Sequence, residues 1–219
     1  ATNINERYLK TDINGLMDIS KDIPSYDVRL NVKEANLYAL RLSDNDKKML
    51  LSTNVIANLR GTDIDKTYGN ISIENTAYTD SRGEYKMDKL DIDITENQFD
   101  SKDITLTSDF LDMNISGIFN FSQLGNTFKN YILNYFYVDK WSRKGVKLED
   151  KKQDFFVNLN FKDTETLTSL LMPNLSISDN TSLTATFTSN NYQLYSTLTS
   201  DEVSYNNFKI NDLYLKSKT

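Results

Sequence analysis

Cysteine and histidine are both absent from the 219 residues. Without thiols there are no disulfides, no thiolate metal sites and no cysteine nucleophile. Without imidazole the commonest general base and the commonest metal ligand are missing, so Ser-His-Asp triads and most zinc sites cannot be built. Enzyme chemistry would have to rest on Asp, Glu, Lys or Tyr. Proline (2) and glycine (7) are scarce, which excludes a collagen-like or low-complexity chain. Positive charge is not in excess. The formal net charge is −6, and the one small basic stretch, residues 140–152, also holds Glu149 and Asp150. A nucleic-acid footprint, which needs clustered Lys and Arg, is not expected. No apolar run approaches the roughly 20 residues that span a bilayer, and no secretory signal opens the chain. The first residue is Ala1, so the chain reads as an excised piece or mature product, with any membrane anchor expected outside it.

What is present favours strands. Tyr (13) and Phe (11) are frequent, and Thr and Ser recur beside Ile, Leu and Val. Val28, Leu30 and Val32 alternate with polar residues. So do Ile71 and Ile73; Leu90, Ile92 and Ile94; Ile104 and Leu106; Met113, Ile115, Phe119 and Phe121; Phe155, Val157, Leu159 and Phe161; Leu183, Ala185 and Phe187; Leu213 and Leu215. Period-2 alternation puts each set on one side of a sheet whose other side is wet. The spacing of about ten residues predicts antiparallel, meandering strands.

Two segments depart from this pattern. Leu124, Phe128, Tyr131, Ile132, Tyr135 and Phe136 fall at i, i+4, i+7, i+8, i+11 and i+12, the stripe of an amphipathic helix over about residues 123–140, with Ser122 as N-cap. Leu167, Leu170 and Leu171 mark a shorter helix over residues 164–172, capped by Asp163 or Thr164 and stopped by Pro173. A degenerate repeat links residues 85–92 with residues 208–215. Each runs aromatic, Lys, apolar, two polar residues, then Leu-x-apolar, and the polar pair shifts the apolar phase by one, as a β-bulge does. The chain is read as one elongated β-rich segment of a larger protein, 1–219, with two candidate internal units, 1–141 and 153–219.

Several runs resemble the TamB/AsmA-like family, in its Bacteroidetes-type central segment. They are Leu59-Arg60-Gly61-Thr62-Asp63-Ile64-Asp65; Gly69 to Asn75 followed by Tyr78; Tyr85-Lys86-Met87-Asp88-Lys89-Leu90; Leu106 to Phe110 leading into Ile115-Ser116-Gly117-Ile118-Phe119-Asn120-Phe121; and Phe161-Lys162-Asp163 through Leu167 and Leu171 to Ile177. The likeness covers about residues 50–217 and contains no catalytic signature. It implies an inner-membrane-anchored envelope protein that extends through the periplasm as a long β-sheet folded into an apolar groove. It also implies an Omp85-family outer-membrane partner, outer-membrane protein assembly, and movement of phospholipid between membranes.

The expectation is therefore a mainly β fold: an elongated, twisted antiparallel sheet curved into a taco-like apolar groove, with two amphipathic helices. The candidate groove lining, for phospholipid acyl chains or a nascent β-strand, is Ile71, Ile73, Leu90, Ile92, Ile94, Ile104, Leu106, Met113, Ile115, Phe119, Phe121, Phe155, Val157, Leu159, Phe161, Leu183, Ala185 and Phe187. The helix stripe is the candidate lid. No catalysis, cofactor or metal is expected. Asp91 and Asp93 sit opposite the apolar set and read as solvated. Asp63 with Asp65, and Asp44 with Asp46, lack the Gly and distal Glu of an EF-hand loop. The rival readings are a surface adhesin or carbohydrate-binding β domain, which predicts a closed sandwich, and a His-free hydrolase, which predicts a polar pocket with converging carboxylates.

Overall fold

The computed structural model describes residues 1–43, 46–97, 100–135, 152–191 and 193–219. They form a mainly β fold, with thirteen strands in one antiparallel sheet that does not close into a barrel. The strands are β1 (Thr2–Glu6), β2 (Leu9–Asp18), β3 (Ser25–Asn36), β4 (Leu50–Gly61), β5 (Thr67–Thr79), β6 (Glu84–Glu96), β7 (Lys102–Ser108), β8 (Leu111–Ile118), β9 (Asp154–Phe161), β10 (Leu175–Ile177), β11 (Ser182–Thr188), β12 (Gln193–Tyr205) and β13 (Phe208–Lys218). The helices are α1 (Phe121–Tyr135) and α2 (Glu165–Leu171). Neighbours in sequence are neighbours in the sheet from β1 to β9. β11 then follows β9, and β12 carries β11 and the short β10 on one edge and β13 on the other. β8 pairs with β9 from Leu111↔Phe161 to Ile118↔Asp154, so the sheet runs unbroken past the α1 insertion.

Register turns the alternation of single strands into a two-sided surface. One rung passes through Val28, Ala57, Ile71, Ile92, Leu106, Met113, Leu159, Leu183, Leu198 and Leu215, each directly opposite the next. All ten side chains are apolar. A rung on the other face passes through Asp27, Asn58, Asn70, Asp93, Thr105, Asn114, Asn158, Thr184, Thr197 and Lys216, and all ten are polar. On that wet face, Asn58 Nδ2 donates to Asn70 Oδ1 at 3.0 Å, Ser72 Oγ to Asp91 Oδ1 at 2.6 Å, and the Ser182 and Thr199 hydroxyls lie 2.7 Å apart. Such cross-strand pairs each contribute a few tenths to about 1 kcal/mol and favour this register over its neighbours.

The apolar face stays in phase through local irregularities. Across β5 and β6, Ile73↔Leu90 gives way to Thr76↔Met87, with Asn75 in the left-handed region at φ +51. The Asp88 and Lys89 N–H groups there donate to Asp109 Oδ2. Across β12 and β13, Leu198↔Leu215 and Ser200↔Leu213 give way to Glu202↔Asn211, with Asp212 at φ +51, and the Glu202 N–H donates to Ser178 Oγ at 3.0 Å. Both copies of the sequence repeat therefore sit where the apolar phase shifts. In each, a side-chain oxygen accepts from a backbone N–H at the irregularity.

The start of α1 differs from the sequence reading. Phe119 and Phe121 do not continue the β8 strand. β8 ends at Ile118 after Gly117 turns the chain at φ +141, and Phe121 is the first residue of α1. Nor does Ser122 cap that helix. The Gln123 and Leu124 N–H groups donate to Asn120 O, and Ser122, inside the first turn, donates both its N–H and its hydroxyl to Asp65. At α2, Asp163 Oδ1 accepts the Glu165 N–H at 3.2 Å, whereas the Thr164 hydroxyl donates to Ile177 O at 2.9 Å. A Cβ on Gly117 would lie 2.3 Å from Asp154 O and 2.7 Å from Phe155 Cα. Gly117→Ala therefore combines a disfavoured φ with a backbone clash, and should lower unfolding free energy by about 2–4 kcal/mol in urea titrations.

Candidate functional site

The candidate wall residues on β5 to β9 and β11 all share one face. Ile71↔Ile92, Ile73↔Leu90, Ile94↔Ile104, Ile104↔Ile115, Leu106↔Met113, Ile115↔Val157, Met113↔Leu159, Leu159↔Leu183, Val157↔Ala185 and Phe155↔Phe187 are direct cross-strand pairs, and Phe161 faces Leu111. Residues that the sequence reading had not included extend the wall on both sides. Ile13, Leu30, Val55, Ala57 and Leu59 carry it onto β2 to β4, and Leu194 and Leu198 onto β12. Their signal was blurred by Ile56 on the wet face of β4 and by the serines that alternate with leucine on β12. Eleven steps of about 4.8 Å make the sheet roughly 53 Å long across its strands.

Most of this face is half-buried, and among the described residues no second sheet packs on it. Among the described residues the fully buried apolar side chains are Ala35, Ile104, Phe119, Tyr131 and Phe187. The chain exposes 14545 Å², where a compact monomer of 25.2 kDa is expected to expose about 10,300 Å². Over the first strands, a hollow of about 520 Å³ lies on the polar side of the sheet, between the rung of Asp12, Asn31, Asn54 and Glu74 and the rung of Asn14, Arg29 and Ile56, so it is not part of the apolar wall. That volume lies in the range of small-ligand pockets, about 300–1,000 Å³.

The exception to this openness is the end of the face covered by α1. The Tyr131 ring centroid is 6.0 Å from Phe187, Phe187 is 5.5 Å from Phe155, and Phe155 is 5.8 Å from Phe119. Phe121 meets Phe119 edge-on at 5.4 Å. Leu124 is half-buried. The side chains of Phe128, Ile132 and Tyr135, and all of Phe136, lie outside the described residues. Where α1 begins, Asp65, in the 3-10 turn between β4 and β5, takes the Ser122 N–H at 3.0 Å and the Ser122 hydroxyl at 2.5 Å.

Lys102 stands on the apolar face at this end, 5% exposed. Its Nζ donates to Asp65 O and lies 5.8 and 5.6 Å from the Phe119 and Phe121 ring centroids. To reach Asp65 from β7 it passes over β6, so the sheet curls toward its apolar side here. Burial pushes the Lys102 ammonium below its ordinary value, and the nearby Asp65, Asp63 and Glu96 charges pull the other way. Neither Lys102 nor its neighbour Gln153, which is almost fully buried with Oε1 accepting the Asn120 N–H at 3.0 Å, had a signature in the sequence. At the opposite end, Arg82 Nη1 donates to Leu170 O at 3.1 Å and ties α2 to the turn between β5 and β6. Arg82 also pairs with Asp80 at 2.7 Å.

Among the described residues, the acidic side chains singled out in the sequence do not converge on one site. Asp91 lies on the wet face, held below its ordinary range by hydrogen bonds from Lys89 and then Ser72. Asp63 Oδ1 accepts the Asp65 and Lys66 N–H groups as the cap of the 3-10 turn. Asp46 Oδ2 accepts the Ser81 N–H at 2.6 Å, and Asp44 lies outside the described residues. Among the described residues no group of three or more acidic side chains is placed to hold a metal ion, and no helix is long and apolar enough to cross a membrane. Comparison with protein-family models, with curated proteins and with solved structures finds no match to this chain.

The two regimes of the apolar face make opposite predictions for truncation. Phe187, 4% exposed beneath Tyr131, should cost about 3–5 kcal/mol as Phe187→Ala. Leu215, in the same ladder but 54% exposed, should cost less than about 1 kcal/mol as Leu215→Ala. Chemical denaturation of the two variants measures the difference.

Lys102 makes a pH prediction. Its folded-state value is lower than its unfolded one, so the native state holds fewer protons on this group across the alkaline window below 10.5. Its contribution to stability therefore rises as pH rises through that window. Lys102→Met should abolish this part of the slope and, by removing a desolvated charge, change stability at neutral pH by no more than about 1 kcal/mol. Melts of both proteins across the alkaline range read the difference.

Proposed function

We propose that the chain is a non-enzymatic holder of apolar cargo, one section of a hydrophobic conduit or scaffold in a cell envelope. The observation that carries this reading is the uncovered apolar ladder, in register from β3 to β13 and backed by a polar face. A face of this kind can replace the apolar surroundings of a chain that leaves a bilayer. An acyl chain of about 16 carbons loses on the order of 12 kcal/mol of burial in water, at about 0.8 kcal/mol per CH₂. Rows of Ile, Leu, Val and Phe side chains can return a large part of it. The occupant on this reading is a phospholipid acyl chain, with a nascent β-strand as the other cargo such a wall accepts.

The sequence likeness to TamB/AsmA-like proteins supports the same setting: a periplasmic segment of an inner-membrane-anchored protein, working with an Omp85-family outer-membrane partner in lipid movement and outer-membrane assembly. The adhesin or carbohydrate-binding reading calls for a closed two-sheet sandwich, and the single open sheet does not provide one.

Native mass spectrometry of protein prepared from a bacterial membrane background tests the proposal. Bound phospholipid is the expected result. Ile115 lies in mid-wall between Ile104 and Val157, and Ile115→Asp should cut lipid occupancy severalfold. Its melting curve must be recorded alongside, because a charge with no partner in an apolar row also weakens the fold. Repeated absence of bound lipid from folded wild-type protein would reject the conduit.

A further inference from the structure

At the tip of the β2–β3 hairpin the two-faced pattern of the sheet breaks down. Leu16, opposite Asp27, lies on the face that is polar elsewhere, and Met17, opposite Tyr26, lies on the apolar face. Ile19 and Ile23 follow in the turn. All four are largely exposed, Leu16 at 76% and Ile19 at 66%. We propose that this tip is a membrane-surface anchor, which seats the end of the sheet in the interface of a lipid bilayer.

Three features favour a bilayer over a protein partner. First, the tip is aliphatic on both faces, whereas a protein interface needs one face and about 20–30 residues a side. Four side chains on a convex turn are too few for that and suit immersion in a fluid apolar phase. Second, part of the polarity of the turn is paired locally. Ser20 donates its N–H and hydroxyl to Asp18 Oδ1 at 2.9 and 2.6 Å, and Lys21 Nζ lies 3.6 Å from Asp18 Oδ2. Pairing of this kind lowers the cost of seating the turn in the interfacial region, where the exposed Asp22 keeps its contact with water. Third, the apolar row continues from the tip without a polar break. Met17 faces Tyr26, Tyr26 faces Leu59, and beyond Gly69 the row reaches Ile94 and Ile104. A tail drawn from the bilayer would meet the wall directly.

Asp18, Lys21 and Asp22 sum to a charge of −1, so attraction to anionic lipid plays no part. The Gly61 N–H donates to Pro24 O at 3.0 Å, which ties the hairpin to the end of β4 and fixes the direction of the tip. This inference extends the cargo-holding reading by naming the surface from which cargo would be taken. The wall can hold lipid without the anchor, so the two can fail separately.

The chain has no cysteine, so a single environment-sensitive label can be placed cleanly. Ile19→Cys carrying a nitrobenzoxadiazole dye should shift to the blue on addition of phosphatidylcholine vesicles. The shift should persist at high salt, where the Debye length is only about 3 Å. The same dye on Asn206→Cys, in the turn between β12 and β13 at the other end of the strands, should not respond. Replacing Leu16, Met17 and Ile23 together by Ser should weaken vesicle binding by about tenfold or more, a loss of about 1.4 kcal/mol, with an unchanged melting curve. The anchor is overturned by silence at position 19, by an equal response at position 206, by binding confined to anionic vesicles, or by a dye shift that needs only more protein and no vesicles. Lipid found by native mass spectrometry in the triple variant would leave the conduit reading standing whichever way the anchor falls.

Discussion

Strand register is the constraint on which everything else in this molecule depends. A side chain on a strand faces one way or the other by parity alone, and a slip of one residue exchanges the two faces of an entire strand. Here ten strands agree on parity, from Val28 to Leu215 on one face and from Asp27 to Lys216 on the other. No second layer enforces that agreement over most of the sheet. It is held locally, by short turns between sequence neighbours, by amide and hydroxyl pairs such as Asn58 with Asn70, and by side-chain oxygens that accept from N–H groups where the phase shifts. A sheet with an open apolar side keeps its register most readily where strands adjacent in sequence pair with each other. The meandering order from β1 to β9 is the topology that allows this.

The buried apolar core is correspondingly small and lies mainly at one end. Phe119, Phe155, Phe187 and Tyr131 form a chain of ring contacts beneath α1, and Lys102 and Asp65 join the start of that helix to the curled edge of the sheet. Lys102 is an expensive choice for this place, since burial opposes its charge. It does what a leucine could not: its stem packs among the aromatic rings while its head donates to a backbone carbonyl two strands away. The cost of the buried ammonium is set against a fixed curvature.

Much of this was legible in the sequence. The alternating runs at 71–73, 90–94, 104–106, 155–161 and 183–187 mark strands because nothing but a half-buried strand needs that period. The two helices stand out because leucine and aromatic residues switch to a spacing of three and four. The phase shift in residues 85–92 and 208–215 also showed itself, as an apolar pattern that changes parity across two polar residues. What could not be read locally was anything set by contact between distant strands. The run Met113, Ile115, Phe119, Phe121 keeps perfect parity, yet Gly117 turns the chain and Asn120 begins a helix. Ser122 looks like a cap and instead binds Asp65, 57 residues away. β4 and β12 read weakly because Ile56 and the interleaved serines dilute their contrast. Only their neighbours' register assigns Val55 and Leu198 to the wall. Openness itself has no sequence signature, because a strand covered by a second sheet and a strand left bare alternate in the same way.

An open sheet must also answer for its two edges, since unpaired N–H and C=O groups invite other strands. The answers differ at the two sides. β1 is five residues long and reads Thr-Asn-Ile-Asn-Glu, so it offers a short edge with little apolar gain for a newcomer. β13 is eleven residues long and exposes Phe208 and Tyr214, which is the more dangerous case. It is guarded in two ways. Lys209, Lys216 and Lys218 place charge along it, and Asp212 at φ +51 interrupts its regular backbone, so an added strand would lose register partway. The wet face contributes as well, because its Asn, Thr, Ser and Asp rungs give a second sheet nothing to stack on. The apolar wall and the aliphatic tip of the β2–β3 hairpin are thus the surfaces left unguarded. A chain that protects its edges and its back while leaving apolar side chains uncovered along ten strands has kept that wall for contact with something apolar.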